Sequence, residues 1–259
     1  SSTFSALATN HRLAQLGFIV IQIGNRGGNP ARSNAYHSYG YYNLRDYGLA
    51  DKKAGIEQLA LRHPWIDVEK VGIYGHSGGG FINDFFKCGV SSAGNHDNNI
   101  YNQNWSEQHH GLRVAASTPP PASSTGAAGA GATRDGEIPQ ESYLDAMLYA
   151  LQFDTGEKKE SDKKFEIKVP TNHELAANLK NKLLLVHGDM DNNVHPGGTV
   201  RLVNALIRAN KRFDMMMLPG KAHGFADMQP YFTQMLMEYF SEHLLGDYYR
   251  GSSDMNNTS

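Results

Sequence analysis

The stretch "VGIYGHSGGGF", residues 71–81, constrains the fold more than any other part of the chain. Its apolar start, residues 71–74, reads as a short buried strand. The strand runs into Gly75-His76-Ser77-Gly78-Gly79, which fits G-x-S-x-G. That pattern sets a serine at a sharp strand-to-helix turn, where neighbouring backbone passes too close to tolerate a Cβ. The turn lifts the serine Oγ above the sheet edge, at the N-terminus of the following helix. There the helix dipole and free N–H groups favour a developing negative charge. The same letters also fit a plain glycine-rich turn, so the rest of the chain has to decide between the two.

Apolar periodicity favours the strand-to-helix reading. Residues 18–23 are a compact β-branched run that predicts a buried parallel strand, broken by "GNRGGNP". Residues 36–47 read as a tyrosine-rich loop and 49–62 as a helix ended by Pro64. Residues 81–87, after the serine, are expected to be helical. Downstream, 183–186 and 213–218 read as strands, and 199–209 and 231–245 as amphipathic helices. Strands alternating with helices predict βαβ units: an α/β fold with a mostly parallel sheet and helices on both faces. Between the halves, residues 117–140 are dominated by proline, glycine, serine and alanine and predict a low-complexity loop. Residues 141–153 could form a short helix, and "DTGEKKESDKK" is a solvated charge run. These segments read as an insertion within a single domain spanning residues 1–259.

Bulk properties remove several function classes. A chain of 259 residues suits one α/β domain with a substantial core. A formal charge of -2 gives no general reason to expect nucleic acid or an acidic membrane as partner. No apolar run is long enough to span a bilayer. The single cysteine, Cys88, rules out an internal disulfide and reads as a small buried residue. The chain opens within a helix, without an initiator methionine, and so reads as a piece of a longer polypeptide.

A serine nucleophile needs a general base in reach and an acid that holds the base in the right tautomer. In α/β hydrolases these follow the serine in the order acid, then histidine, on loops after later strands. The strand 183–186 runs into "HGDMDNNVHP", which offers Asp189 and Asp191; the strand 213–218 runs into "PGKAHGF", which offers His223. Both loops leave the carboxyl ends of parallel strands, where such sheets place their sites. Asp189 and Asp191 could instead join His187 and His195 around a metal. The loop lacks the glycine and terminal acid of a calcium-binding loop, so neither a metal nor any other cofactor is expected.

The stretches "GHSGGG", "LLLVHGDMDNNVHP" and "LPGKAHGF" resemble the catalytic domain of the prolyl oligopeptidase superfamily of serine peptidases, nearest to bacterial dipeptidyl peptidase IV. The upstream "GFIVIQIGNRGG" is similar to that family's strand and D-x-R-G segment, with Gly24 in place of the aspartate. The resemblance covers residues of about 10–115 and 165–247 and implies an α/β-hydrolase fold. It implies Ser77 as nucleophile, Asp191 rather than Asp189 as acid, His223 as base and the Gly78 N–H as an oxyanion donor. It further implies Asn193 and Val194 as substrate contacts and Tyr101 and Trp105 as the aromatic wall of a proline pocket. The position after the nucleophile is aromatic in dipeptidyl peptidase IV, whereas Gly78 leaves the pocket wall more open.

The implied function is a serine exopeptidase releasing N-terminal dipeptides after proline or alanine through an acyl-enzyme on Ser77. Another serine hydrolase on the same fold (an oligopeptidase, an acylaminoacyl peptidase or an esterase) and a non-catalytic binding module stay as alternatives. The resemblance also implies a peptide substrate, an N-terminal β-propeller in the full-length chain and a periplasmic or secreted location, and it allows a homodimer. The family's second oxyanion donor lies in a stretch upstream of the "RGG" motif that this sequence does not contain.

Overall fold

The computed structural model describes residues 9–42, 47–79, 85–111, 113–114, 165–166 and 169–246. The chain divides into two compact units, one made of residues 1–111 and 167–259 and the other of residues 112–166. The smaller unit contains β3 (Arg113–Val114) and β4 (Phe165–Glu166), which pair antiparallel. The low-complexity stretch 117–140, the expected helix at 141–153 and the charge run lie outside the described residues.

The larger unit is built on four parallel strands: β1 (Gly72–His76), β2 (Cys88–Ser92), β5 (Lys182–Gly188) and β6 (Asp214–Leu218). They lie in the order β1-β2-β5-β6. β5 shows why a central parallel strand carries an unbroken apolar run, residues 183–186. Leu184 and Val186 join one core cluster, with Phe232, Leu236 and Phe240 of α6 (Gln229–Phe240). Leu183 and Leu185 point to the opposite cluster, with Leu202 and Leu206 of α5 (Gly197–Arg208). Alternate side chains of one strand thus feed two helix layers, as the alternation of elements predicts.

Among the described residues, four further helices belong to the larger unit: α1 (Thr9–Gln15), α2 (Asn34–His37), α3 (Leu49–Arg62) and α4 (Gln103–His110). α3 has the bounds that the sequence predicts. It stops because His63 precedes Pro64 and takes φ −130°, ψ 83°, outside the helical region. α2 and a following 3₁₀ turn (Ser38–Gly40) occupy part of the stretch expected to be loop; the Ser33 hydroxyl caps α2 by accepting from the Tyr36 N–H.

Three expectations need correction. Residues 18–23 form no strand: Phe18 and Val20 pack on the core, but the segment has no ladder partner among the described residues. A β-branched run supplies the side chains of a strand and not the neighbour that makes it one. In the helix expected over 81–87, residues 81–84 lie outside the described residues and 85–87 are not helical. They lead instead into β2, a strand of sequence CGVSS that the sequence analysis did not identify. Finally, the helix expected over 231–245 runs as α6 to Phe240 and then loosens into a π-helical turn, Ser241–Leu245.

Candidate active site

Ser77 is the first residue beyond β1, and its φ is +59°. A non-glycine residue in the left-handed region is strained and persists only where its surroundings fix it. Here the Ser77 carbonyl accepts from the Asn95 N–H of the loop after β2 (3.2 Å). A 3₁₀ turn, Ser77–Gly79, follows at once. Gly78 is exposed, and a Cβ built on it would meet nothing within 4 Å. The sharp, strained turn expected from G-x-S-x-G is therefore present.

The loop after β5 and the loop after β6 lie against each other. The Asp189 N–H donates to the Leu218 carbonyl and the Met190 N–H to the Lys221 carbonyl. The Asp189 carboxylate accepts the Gly220 N–H at 2.6 Å. The approach is so close that a Cβ on Gly188 would fall 2.2 Å from the Lys221 carbonyl oxygen. Glycine at the strand end is what lets the two loops touch.

That contact brings Asp191 to His223. The His223 Nδ1–H donates to Asp191 Oδ2 at 2.8 Å. With Nδ1 engaged by a carboxylate, the neutral ring keeps its lone pair on Nε2, the tautomer a general base needs. Asp191 is 2% exposed. Burial pushes its carboxyl pKa upward, but the hydrogen bonds from His223, Val194 N–H and Asn193 N–H outweigh it and hold the group below the ordinary range. The two backbone donors both reach Oδ1, each at 2.9 Å.

The ring of His76, beside Ser77, lies 4.8 Å from that of His223, centroid to centroid. The serine turn and the Asp191–His223 pair thus meet at one end of the sheet. Ser77 Oγ makes no hydrogen bond to His223. Asp189 does not join the pair; it closes the β6 turn through Gly220.

The residues expected to bind substrate fall into two groups. The Tyr101 hydroxyl donates to Asn193 Oδ1 at 2.8 Å, and the Tyr101 ring meets that of Trp105 edge-on at 5.4 Å. Trp105 stacks in turn on His109 at 4.6 Å. Asn193 is exposed, whereas the Val194 side chain is 4% exposed, and its backbone serves Asp191 and His187. Sequence reasoning did not single out Asn95, Thr199 or the donor role of His187. Asn95 and Thr199 lie outside the quoted motifs, and His187 lies within one without its partners being readable there; their roles come from contacts made by the fold.

Comparison with known proteins gives this site its context. The model of the family described as "Prolyl oligopeptidase family" matches residues 3–119 and 139–247. Human dipeptidyl peptidase 8 is 26% identical over 242 residues, which is 90% of this chain and 22% of the relative. Inactive dipeptidyl peptidase 10 of Rattus norvegicus is 23% identical over 201 residues, 74% of this chain and 19% of the relative. This chain therefore spans about a fifth of the length of these relatives. Among solved structures, Porphyromonas gingivalis dipeptidyl peptidase 4 superposes with a TM-score of 0.56 at 21% identity, covering 85% of this chain and 26% of that one. The fold is that of an α/β hydrolase.

Proposed function

Because the chain belongs to the prolyl oligopeptidase family of peptidases, we propose that it carries the catalytic site of a dipeptidyl peptidase in which Ser77, His223 and Asp191 act in turn. One observation carries this reading: a buried carboxylate bonded to His223 Nδ1, on a loop facing a serine held at φ +59°. His223 Nε2 takes the Ser77 proton as Oγ attacks the scissile carbonyl. The Gly78 N–H donates to the oxyanion, and Asp191 stabilises the imidazolium. His223 then protonates the leaving amine, and water hydrolyses the acyl-enzyme by the same route. The Ser77–His223 hydrogen bond forms when substrate closes the site, since such bonds are often long in the free enzyme.

Tyr101, Trp105 and Asn193 form the substrate wall in this proposal. The Tyr101 hydroxyl occupies Asn193 Oδ1 and so leaves the Asn193 amide N–H groups to donate to a substrate carbonyl. The grip on the peptide amino terminus is assigned to a β-propeller elsewhere in the full-length protein. The open space at Gly78 keeps a second reading alive, an esterase or acylaminoacyl peptidase with a wider acyl pocket.

The test uses the protein at its full natural length with proline dipeptide anilides, N-acetylated analogues and simple esters. Dipeptide release with a free amino terminus is expected to dominate, and Ser77→Ala should lower kcat by about 10⁶. Preference for the acetylated or ester substrates would select the second reading. A Ser77→Ala enzyme with near-normal turnover would reject both.

A further inference from the structure

His187, the last residue but one of β5, is fully buried and lies outside the proton-transfer pair just described. It nevertheless touches the same carboxylate. Its Nε2 is 3.2 Å from Asp191 Oδ2 and 2.8 Å from the Val194 carbonyl oxygen. Its Nδ1 is 2.7 Å from Thr199 Oγ1 at the start of α5. A carbonyl oxygen can only accept, so Nε2 carries the proton and shares it between Val194 and Asp191. In the neutral ring, Nδ1 then accepts from the Thr199 hydroxyl. Asp191 therefore has four donors. Asn193 N–H and Val194 N–H reach Oδ1, and His223 and His187 reach Oδ2.

We infer that His187 is a positioning residue. Anchored on α5 by Thr199, it locks the Asp191 carboxylate and divides Oδ2 between two imidazoles. This rests on the reading of Ser77, Asp191 and His223 given above. A carboxylate oxygen with one donor removed is a stronger acceptor for the other, so without His187 the Asp191 carboxylate stabilises protonated His223 more. The acid limb of activity then moves to higher pH, and the freed carboxylate loses its alignment. Among the described residues, the other titratable groups near His187 and His223 leave this sign unchanged, and His96, which neighbours His187, is common to all the variants. His76 faces His223 from the end of β1, Asp189 is engaged by the Gly220 N–H, and Lys221 is paired with Asp227 at 2.5 Å.

The experiment takes full-length protein and measures pH-dependent acylation of Ser77 by a fluorophosphonate probe, with kcat and KM on the preferred peptide anilide. Thermal unfolding confirms that each variant is folded. His187→Phe should slow acylation about 10- to 100-fold, the worth of one hydrogen bond to a charged group. The loss should fall on kcat, with the acid limb displaced upward. His187→Gln, whose amide can still donate to Asp191 and Val194, should restore most of the rate and the original limb.

Thr199→Val, which removes only the anchor, should shift the limb the same way by less. A folded His187→Phe enzyme with unchanged rate, or with a lower rate and an unmoved limb, would overturn the inference. If that variant does not fold, a Thr199→Val enzyme with the wild-type profile overturns it instead. Failure of the probe to label wild-type Ser77 would sink the catalytic reading as well, whereas equal labelling of all variants sinks the His187 role alone.

Discussion

Two aspartates two residues apart make different contacts, and the tasks proposed for them can be tested singly. Asp191 is buried on His223, whereas the Asp189 carboxylate reaches out of the pair to the Gly220 N–H. Asp191→Asn keeps the shape but loses the charge and tautomer control, so kcat should fall by about 10⁴. Asp189→Asn should act chiefly through stability and cost far less in kcat. Steady-state kinetics in the reverse order would show that the acid had been assigned two residues out.

Another buried histidine is expected to contribute to acid sensitivity. His96 is 4% exposed, and its Nε2 has no partner among the described residues; burial first, and then the neighbouring His187, lower its pKa to about 3. In the unfolded chain it titrates near 6.5. Below that pH the unfolded state binds the extra proton, so stability is complete above about 6.5 and is lost steadily down to about 3. The loss should approach about 1.4 kcal/mol per pH unit from this group. Denaturant unfolding between pH 7 and 4 checks it, and His96→Gln should flatten the slope. An identical slope in the variant would assign the effect to other groups.

At the scale of elements, the site depends on the β5 and β6 loops lying in contact. Gly188→Ala places a methyl group 2.2 Å from the Lys221 carbonyl oxygen, which is backbone and cannot rotate aside. Overpacking of this kind costs about 1–3 kcal/mol, and it pries His223 from Asp191. Both melting temperature and kcat should fall; a variant normal in both would mean that the loops do not need this contact.

Elements with a strong period were legible in the sequence, as α3, β5 and α5 show, because burial on one face or on both writes a repeat. β2 was not, because its cysteine, glycine and two serines fill a central position without a β-branched run. α4 was not, because glutamine, asparagine and histidine dominate it. The residues 18–23 misled for the converse reason, since strand-like side chains do not supply a partner. The geometry of the candidate site was legible where a motif fixes a backbone requirement, as at Ser77, or follows a strand on a loop, as at Asp191 and His223. The Tyr101–Asn193 and Thr199–His187 contacts join residues 92 and 12 positions apart, and only the folded chain reveals them.

Over the whole molecule, the two faces of the sheet differ from its β1 edge. Helices cover both faces and bury β5 over residues 183–188. β1 pairs with β2 on one side, and among the described residues no strand pairs with its other side. The Phe18 ring and that of Tyr74, in β1, both meet the Phe240 ring, and exposed apolar groups lie in these two segments: Ile19 at 53%, Ile21 at 41% and Tyr74 at 37%. An unpaired strand beside exposed β-branched residues is a template for association. The 259-residue chain on its own is therefore expected to self-associate at micromolar concentration, the range in which such surfaces aggregate. Sedimentation velocity on the isolated chain checks this. Ile19→Lys combined with Ile21→Lys should raise the monomer fraction, because neither side chain is buried and the charge opposes stacking of a second copy. A wild-type chain that stays monomeric at roughly 100 µM would show that the edge is protected by residues outside those described.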